Sequence, residues 1–241
     1  MSKAIILLSG GQDSTTCLYW AKQKFDLVEA ICFDYGQRHL IELEFAKKIC
    51  NKEKISFDII SLKEILSNSA LINPQEDLNK SHPSNENLPN SFVPGRNLLF
   101  LSIASSIAYN REIENIIIGI CETDFSGYPD CRDEFIKSMK KTIHLATEKS
   151  MEIHTPLMNL DKAQTWKLAK DLGCIDTIIK STMTDYNGSK NENDWGLGNL
   201  DNPASILRHK GYLKAKKING FKIKYSRPLH RSDCRRKKDS V

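Results

Sequence analysis

Near its N-terminus the chain joins a short apolar strand directly to a glycine turn, and this junction constrains the fold more than any other segment. Residues 4–8 read AIILL, and residues 9–14 then read SGGQDS. A strand without polar alternation is typical of a parallel sheet that is covered on both faces. The two glycines let backbone N–H groups approach an anion, and a helix that begins near Ser14 adds favourable potential. The sequence therefore predicts an α/β protein with an anion-binding turn after its first strand.

The alternation of strand-like and helix-like segments continues along most of the chain. The apolar patterns predict strands at residues 4–8, 27–33, 57–60, 115–119 and 151–154. They predict helices at residues 14–23, 40–53, 97–108, 132–147 and 161–172. Residues 66–94 and 185–205 are polar and aperiodic, which is typical of long loops. We therefore expect a doubly wound, Rossmann-like parallel sheet over residues 1–180, and a small appendage over residues 181–241.

The bulk composition indicates a globular protein in a reducing compartment. Apolar residues make up 40% of the 241 positions, and no run of 18 apolar residues is present to predict a membrane span. The N-terminus lacks a cleavage-site pattern and is not a signal peptide. The seven cysteines are odd in number and contain no C-x-x-C pair, so we expect buried thiols and a cytoplasmic location.

The positive charge is concentrated at the C-terminus. The chain carries a net charge of +5, and residues 210–241 alone hold twelve Lys/Arg against two Asp. A basic segment of this kind can bind nucleic acid or a membrane surface. The alternative, which we favour, is a solvated terminus, because the segment has little aromatic interleaving.

The glycine loop, defined as residues 9–14, has the chemistry of a phosphate site. Hydroxyl groups of Ser9, Ser14 and Thr15 can donate to phosphate oxygens. Asp13 places a negative charge beside that anion, so we expect a magnesium ion or a nearby cation to neutralise the carboxylate. The spacing is neither G-x-x-x-x-G-K-[ST] nor G-x-G-x-x-G, which excludes the Walker and dinucleotide-binding motifs. The alternative is a purely structural Gly-Gly turn that is capped by an Asp or Ser side chain.

The glycine loop resembles the pyrophosphate-binding loop of the PP-loop ATP pyrophosphatases, which cleave ATP to AMP and pyrophosphate. On this resemblance the ATP-binding residues are Ser9, Gly10, Gly11, Gln12, Asp13, Ser14 and Thr15. Longer segments resemble the 7-cyano-7-deazaguanine (preQ0) synthase family of the queuosine pathway. These segments are SGGQDSTTC at 9–17, FDYGQRH at 33–39, FVPGRN at 92–97, GICETDFSGYPDCRDEF at 119–135 and TPLMNLDKAQTW at 155–166.

The resemblance implies a fold, a reaction and a set of partners. The fold is a PP-loop α/β domain with a small zinc-bearing C-terminal part, and the expected assembly is a homodimer. The reaction converts 7-carboxy-7-deazaguanine to 7-cyano-7-deazaguanine with ammonia, ATP and Mg²⁺. Adenylation turns a poor electrophile into one with AMP as leaving group, and a second adenylation permits dehydration of the amide.

Residue roles follow from this resemblance together with side-chain chemistry. The candidate catalytic residues are Asp13, Lys162 and Arg96, with Lys162 matching the family's phosphate-binding lysine and Arg96 suited to clamp a carboxylate or phosphate. The candidate substrate-binding residues are Tyr35, Gln37, Arg38, Arg96, Asn97, Glu122, Thr123, Asp124, Phe125, Ser126, Tyr128, Asp130 and Arg132. His39 lies in the same region, but a structural role is the better expectation for it.

The sequence departs from the family at its four zinc cysteines. The matching positions hold Asp185, Asn199, Asn202 and Ser205. Structural zinc requires thiolate or imidazole ligands, so we expect no zinc here and a hydrogen-bonded polar network in its place. Calcium is a weaker possibility, since only one of the four residues is a carboxylate.

The lost cysteines leave the fate of the adenylate open. The chain is expected to be a preQ0 synthase without metal at this position. The alternative is a paralogue that transfers the same deazaguanine acid to another amine, on a protein or a small molecule. A non-catalytic nucleotide- or RNA-binding protein that uses the basic tail is a further alternative. A tRNA-thiolating enzyme is disfavoured, because no C-x-x-C pair is present.

Overall fold

The computed structural model of the chain describes residues 1–37, 41–63, 65–66, 71, 80–82, 85–123, 128–218 and 221. Its elements, in chain order, are β1 (Lys3–Leu7), α1 (Gln12–Lys24), β2 (Leu27–Asp34), α2 (Ile41–Glu53), β3 (Phe57–Ser61), β4 (Ser81–His82), β5 (Asn85–Pro89), α3 (Arg96–Asn110), β6 (Asn115–Ile118), α4 (Asp133–Thr147), β7 (Glu152–His154), α5 (Lys162–Asp171), α6 (Ile175–Ser181), β8 (Glu192–Asn193), β9 (Gly196–Leu197) and α7 (Pro203–Ala215).

Five of the strands form one parallel sheet in the order β3-β2-β1-β6-β7. In the centre, Ile5 pairs with Glu29 of β2 on one side and with Ile116 of β6 on the other. The chain thus leaves β1 in one direction and returns later to its opposite flank, which confirms the predicted doubly wound sheet. The crevice at the carboxyl ends of β1 and β6 is the topological switch point, where such sheets bind ligands.

Each face of the sheet is covered by helices that bury alternate strand residues. Ala4 and Ile6 pack in one core cluster with residues of α1 and α2. Ile5 and Leu7 pack in a second cluster with residues of α3 and α4. This alternation follows from the two-residue period of a strand and explains why residues 4–8 are apolar without interruption.

A third core cluster joins α5 and α6 to α7. Trp166 and Ile178 pack there with Tyr212, and all three are buried. The cluster therefore combines helices from both sides of the boundary predicted at residues 180 and 181. Helix α7 therefore packs on the main domain, and its most extensive contact there is with α5.

The two segments predicted as loops contain short elements that the sequence pattern does not reveal. The first contains the antiparallel hairpin β4–β5, and the second contains the hairpin β8–β9 and the start of α7. Strands of two residues are too short to show a period. The start of α7 has a local signal, since Asn202 caps the helix by accepting from the backbone N–H of Ser205, and Pro203 follows at its first position.

Candidate functional site

The glycine loop connects β1 to α1 at the switch point of the sheet. Gly10 has φ = +87°, and a Cβ atom there would lie 2.3 Å from the carbonyl oxygen of Glu42 and 2.8 Å from the backbone nitrogen of Ala46. A side chain at this position is thus excluded both by backbone conformation and by α2. The close packing fixes the loop against α2 at the N-terminus of α1, where the helix dipole favours an anion.

Two hydroxyl groups stabilise the shape of this loop. The Ser14 hydroxyl oxygen accepts from the backbone N–H of Ser9 at 3.2 Å and lies 3.0 Å from the Ser9 hydroxyl. The Ser9 hydroxyl in turn accepts from the backbone N–H of Gly11 at 3.3 Å. The loop is therefore held by its own side chains and is preorganised before any ligand binds.

Lys162 lies beside the loop and forms an ion pair with Asp13. Its ammonium nitrogen is 2.8 Å and 3.1 Å from the two carboxylate oxygens. The lysine begins α5, whose N-terminus is capped by Asp161 and Gln164 in a capping box. The Lys162 side chain is only 11% exposed. The structure thus brings together the two residues that sequence analysis named for phosphate chemistry, which are 149 positions apart.

A cavity of about 300 Å³ opens from the glycine loop along the carboxyl edge of the sheet. Most of the sequence-predicted site residues line it, namely Ser9, Gly11, Gln12, Asp13, Ser14, Tyr35, Gln37, Arg96, Asn97, Tyr128 and Lys162. Gly10, Thr15, Glu122, Thr123, Asp130 and Arg132 do not. The predicted residues Arg38, Asp124, Phe125 and Ser126, together with His39 and the tail beyond residue 221, lie outside the described residues.

The part of the cavity away from the loop is aromatic and contains one arginine. The guanidinium carbon of Arg96 lies 5.9 Å from the ring centroid of Tyr35 and 5.8 Å from that of Tyr128. The Tyr128 hydroxyl is 2.7 Å from that of Ser91, and Phe33 stacks on Phe100 at 4.1 Å. Flat apolar walls beside a cation suit a planar heterocycle that carries a carboxylate.

Several residues predicted to bind substrate also form hydrogen bonds that hold the frame of the site. Asn97 donates its backbone N–H to the Asp130 carboxylate at 3.0 Å and its amide to the Asp130 carbonyl at 3.1 Å. Gln37 accepts from the backbone N–H of Tyr35 at 3.0 Å. Glu122 accepts from the backbone N–H at the start of α4. These contacts hold the turn after β2 and join the start of α3 to the segment that leads into α4.

Glu42 is a cavity residue that sequence analysis missed. It lies in the first turn of α2 and is half-buried at the cavity wall, and it forms no ion pair with the described residues. Burial raises the pKa of its carboxyl to about 7, and the charge of Arg96 acts in the opposite direction. A carboxyl group with this pKa can gain or lose a proton near neutral pH. Acidic residues are common in the first turn of helices, where they interact favourably with the helix dipole. The sequence alone therefore does not distinguish Glu42, a cavity residue, from such an ordinary acidic residue.

The positions that match the family's zinc cysteines form a polar cluster, defined as Asp185, Asn199, Asn202 and Ser205. The Asp185 carboxylate accepts from the backbone N–H of Asn199 at 2.6 Å and from the hydroxyl of Ser205 at 3.2 Å. The Asn202 amide donates to the same hydroxyl at 3.3 Å. The Asn199 side chain faces away and accepts from Asn191. A hydrogen-bonded network thus connects the segments that four thiolates would otherwise join.

The polar cluster lies next to two further cavity residues that sequence analysis missed, Thr184 and Arg208. Arg208 is fully buried and donates to the carbonyl oxygens of Trp195 and Ile178 and to the hydroxyl of Thr184. The Thr184 hydroxyl also accepts from the backbone N–H of Gln12 at 3.3 Å. The C-terminal part therefore contacts the glycine loop directly.

The described residues contain no group of three or more His, Cys, Asp and Glu arranged to hold a metal ion. In the same part of the chain, no helix is both long enough and apolar enough to cross a bilayer. The six cysteines within it are all buried, and burial raises the pKa of Cys32 to about 12. These thiols pack as small apolar side chains, as expected from the sequence.

Comparison with known proteins extends the similarity over almost the whole chain. The family model described as queuosine biosynthesis protein QueC matches residues 3–216. The 7-cyano-7-deazaguanine synthase of Clostridium botulinum (strain 657 / Type Ba4) is 51% identical over 217 residues, which cover 89% of this chain and 96% of the relative. The synthases of Staphylococcus haemolyticus (strain JCSC1435) and Clostridium novyi (strain NT) are 50% and 48% identical, each over 90% of this chain and 96% of the relative.

Proposed function

Because the chain belongs to the family of the queuosine biosynthesis protein QueC, we propose that it acts as a 7-cyano-7-deazaguanine synthase and folds without a structural zinc ion. The observation that carries the proposal is the arrangement of one cavity. The glycine loop and Lys162 form one end, and Arg96 with an aromatic wall forms the other. A nucleotide and a planar acid can therefore meet within one enclosure.

ATP fits the glycine loop through its phosphates. Backbone N–H groups at the start of α1 and the hydroxyls of Ser9 and Ser14 surround the anion position, and Lys162 supplies a cation. Mg²⁺ is held in such sites by one or two carboxylates together with phosphate oxygens, and Asp13 is the carboxylate in the correct place. With ATP bound, Asp13 would hold the ion, which would neutralise phosphate charge, and Lys162 would contact the phosphates.

The reaction proceeds through two adenylations. A carboxylate oxygen of 7-carboxy-7-deazaguanine attacks the α-phosphorus of ATP, and pyrophosphate leaves. Ammonia then attacks the acyl carbon, and AMP departs with the oxygen to give the amide. The amide oxygen attacks a second ATP, and loss of AMP and two N–H protons yields the nitrile. The protein contributes mainly positioning and charge neutralisation.

Arg96 and Glu42 are assigned the roles that their surroundings favour. Arg96 binds the substrate carboxylate before it is adenylated, since its planar guanidinium projects into the aromatic end of the cavity. Attack by ammonia places an extra proton on nitrogen, and Glu42 accepts it. A pKa of about 7 is well matched to a base that works near neutral pH.

The residues at the family's zinc position do not fit zinc. Only Asp185 offers a charged ligand, and its oxygens already accept hydrogen bonds from Asn187, Asn199 and Ser205. The Asn199 side chain points to a different partner. Structural zinc in proteins is bound by cysteine and histidine in tetrahedral sites, and neither is present in the cluster. We therefore assign no step of the reaction and no part of the fold to zinc.

Product analysis tests this assignment. The protein is incubated with 7-carboxy-7-deazaguanine, ATP, Mg²⁺ and ammonium, and products are identified by mass. The nitrile is expected, with two AMP formed per molecule. Amide as the final product would mean that dehydration is absent. Formation of AMP without amide or nitrile would indicate transfer of the deazaguanine acid to another amine. The family relationship does not favour that outcome. ATP consumption that is independent of the deazaguanine acid would contradict the proposal.

The homodimer stays a prediction, and the nucleic-acid contact of the basic tail stays the alternative to a solvated terminus. Light scattering tests the first. For the second, RNA binding at low salt should disappear when the chain is truncated after residue 220, and it should weaken steeply with added salt.

A further inference from the structure

Thr184 belongs to the segment that follows α6, and its hydroxyl group occupies an unusual position. The hydroxyl oxygen accepts one hydrogen bond from the Arg208 guanidinium at 2.9 Å and another from the backbone N–H of Gln12 at 3.3 Å. A threonine oxygen has two acceptor positions and one donor proton. Both acceptor positions are thus used, and within the described part of the chain no group accepts the proton. The residue lines the cavity beside the glycine loop.

Arg208 fixes this orientation from the C-terminal helix. Each of its three guanidinium nitrogens donates one bond, to the Trp195 carbonyl at 3.0 Å, the Ile178 carbonyl at 2.8 Å and Thr184. The guanidinium fills the space beside Gly196, where φ is +117° and a Cβ atom would lie 2.2 Å from it. Three of the five N–H donors of Arg208 are therefore committed, one on each nitrogen, and its contact with Thr184 has little freedom to change.

The buried charge of Arg208 also favours an anion in the cavity. The side chain is fully buried and forms no ion pair with the described residues. Burial lowers its pKa to about 10, while the charge of Asp13 acts in the opposite direction. The group consequently stays protonated at neutral pH, although a buried cation without a carboxylate partner is costly. A phosphate at the glycine loop would compensate this charge at short range.

We propose that Thr184 binds a phosphate oxygen of the nucleotide through its hydroxyl proton, and that Arg208 acts as the positioning residue that orients it. The phosphate site then has two halves, the glycine loop from the main domain and Thr184 from the C-terminal part. The polar cluster then also supports phosphate binding. It holds Asp185, which immediately follows Thr184, through hydrogen bonds from Asn199 and Ser205. The inference rests on the proposed function, in which the glycine loop binds ATP.

Calorimetric titration with inorganic pyrophosphate and Mg²⁺ tests the inference in the full chain. Thr184→Val keeps the shape but removes the hydroxyl, and we expect about tenfold weaker binding, as for loss of one hydrogen bond to a charged group. Thr184→Ser should restore binding to within about twofold. The KM for ATP should rise in parallel, while the dissociation constant of 7-carboxy-7-deazaguanine stays unchanged. Arg208→Lys should shift the same two ATP-related quantities.

Thr182→Val is the matched control. The Thr182 hydroxyl is fully buried, donates to the Ile178 carbonyl and does not line the cavity, so its loss removes a structural hydrogen bond of the same segment. The control should bind pyrophosphate as the wild type does. Unchanged binding by Thr184→Val, or equal weakening in both valine variants, would overturn the inference. Failure of the wild type to bind pyrophosphate would instead overturn the proposed function.

Discussion

The glycine loop and Asp185 of the polar cluster line the same cavity, yet the two regions relate to their family in opposite ways. In the loop, the residues that the resemblance assigns to ATP are all present, and Gly10 could not be replaced without a clash with α2. In the cluster, the four positions that correspond to cysteines hold other residues, and the segments are joined by hydrogen bonds to Asp185.

The difference lies in what each region must supply. The loop has to present backbone N–H groups and charges to a phosphate, and no other residue types provide the same geometry. The cluster has to hold three chain segments together, and a buried carboxylate with donors around it can do this as thiolates around a metal can. A chemical task thus restricts residue identity more strongly than a structural task does.

Replacement of Lys162 by methionine should give the largest effect. The side-chain length is kept, but the cation that neutralises the departing pyrophosphate is lost. Pyrophosphate release should fall about 10²- to 10³-fold, the usual loss for one charge-stabilising group. Lys167→Met is the control, because Lys167 lies on the same helix and pairs with Asp171 at the surface. Equal activity in both variants would remove Lys162 from the phosphate site.

Replacement of Asp185 by alanine should mainly affect stability. The carboxylate is 1% exposed and accepts from three donors, and two of these donors are backbone N–H groups. Their loss should lower the free energy of unfolding by about 2–4 kcal/mol, measured by urea denaturation. Asp201→Ala, at an exposed position near the cluster, should cost less than about 1 kcal/mol. Similar values for the two variants would contradict a supporting role for the cluster.

Glu42 allows a smaller test through pH. Its folded-state pKa is about 7, against an ordinary value of 4.5. Between these values the native state binds more protons than the unfolded state, so the free energy of unfolding should fall as the pH rises from 5 to 8. Arg96, on α3, limits this loss by favouring the charged form.

The Glu42→Gln variant should reduce this decline by roughly 2–3 kcal/mol, measured as urea unfolding at several pH values. Glu44→Gln, at an exposed position in the same helical turn, is the control and should keep the wild-type profile. A profile for Glu42→Gln that coincides with the wild type would mean that the Glu42 carboxyl is ionised throughout this range.

Much of the fold follows from sequence because its signals are local. The five strands of the sheet are short apolar runs, and the placement of Asp13 and Lys162 at one edge of the sheet follows from two motifs, one after β1 and the other after β7. Glu42, Thr184 and Arg208 could not be found in this way. These three residues matter because they are buried at the cavity and contact partners distant in sequence. The local sequence around a first-turn glutamate or a helical arginine shows neither its burial nor its distant partners. Strands β4, β8 and β9 are missed for a similar reason, since two residues cannot show a period, and the five-residue β5 reads NENLP, which has no apolar alternation.

We propose that this chain completes the synthase reaction with hydrogen bonds at the positions that match the family's zinc cysteines. The rate of nitrile formation is measured before and after treatment with a zinc-selective chelator that leaves Mg²⁺ in solution, and zinc is determined by elemental analysis in the same samples. We expect far less than one zinc per chain and an unchanged rate. One tightly held zinc, or a rate that falls on chelation and returns when zinc is added, would contradict the proposal.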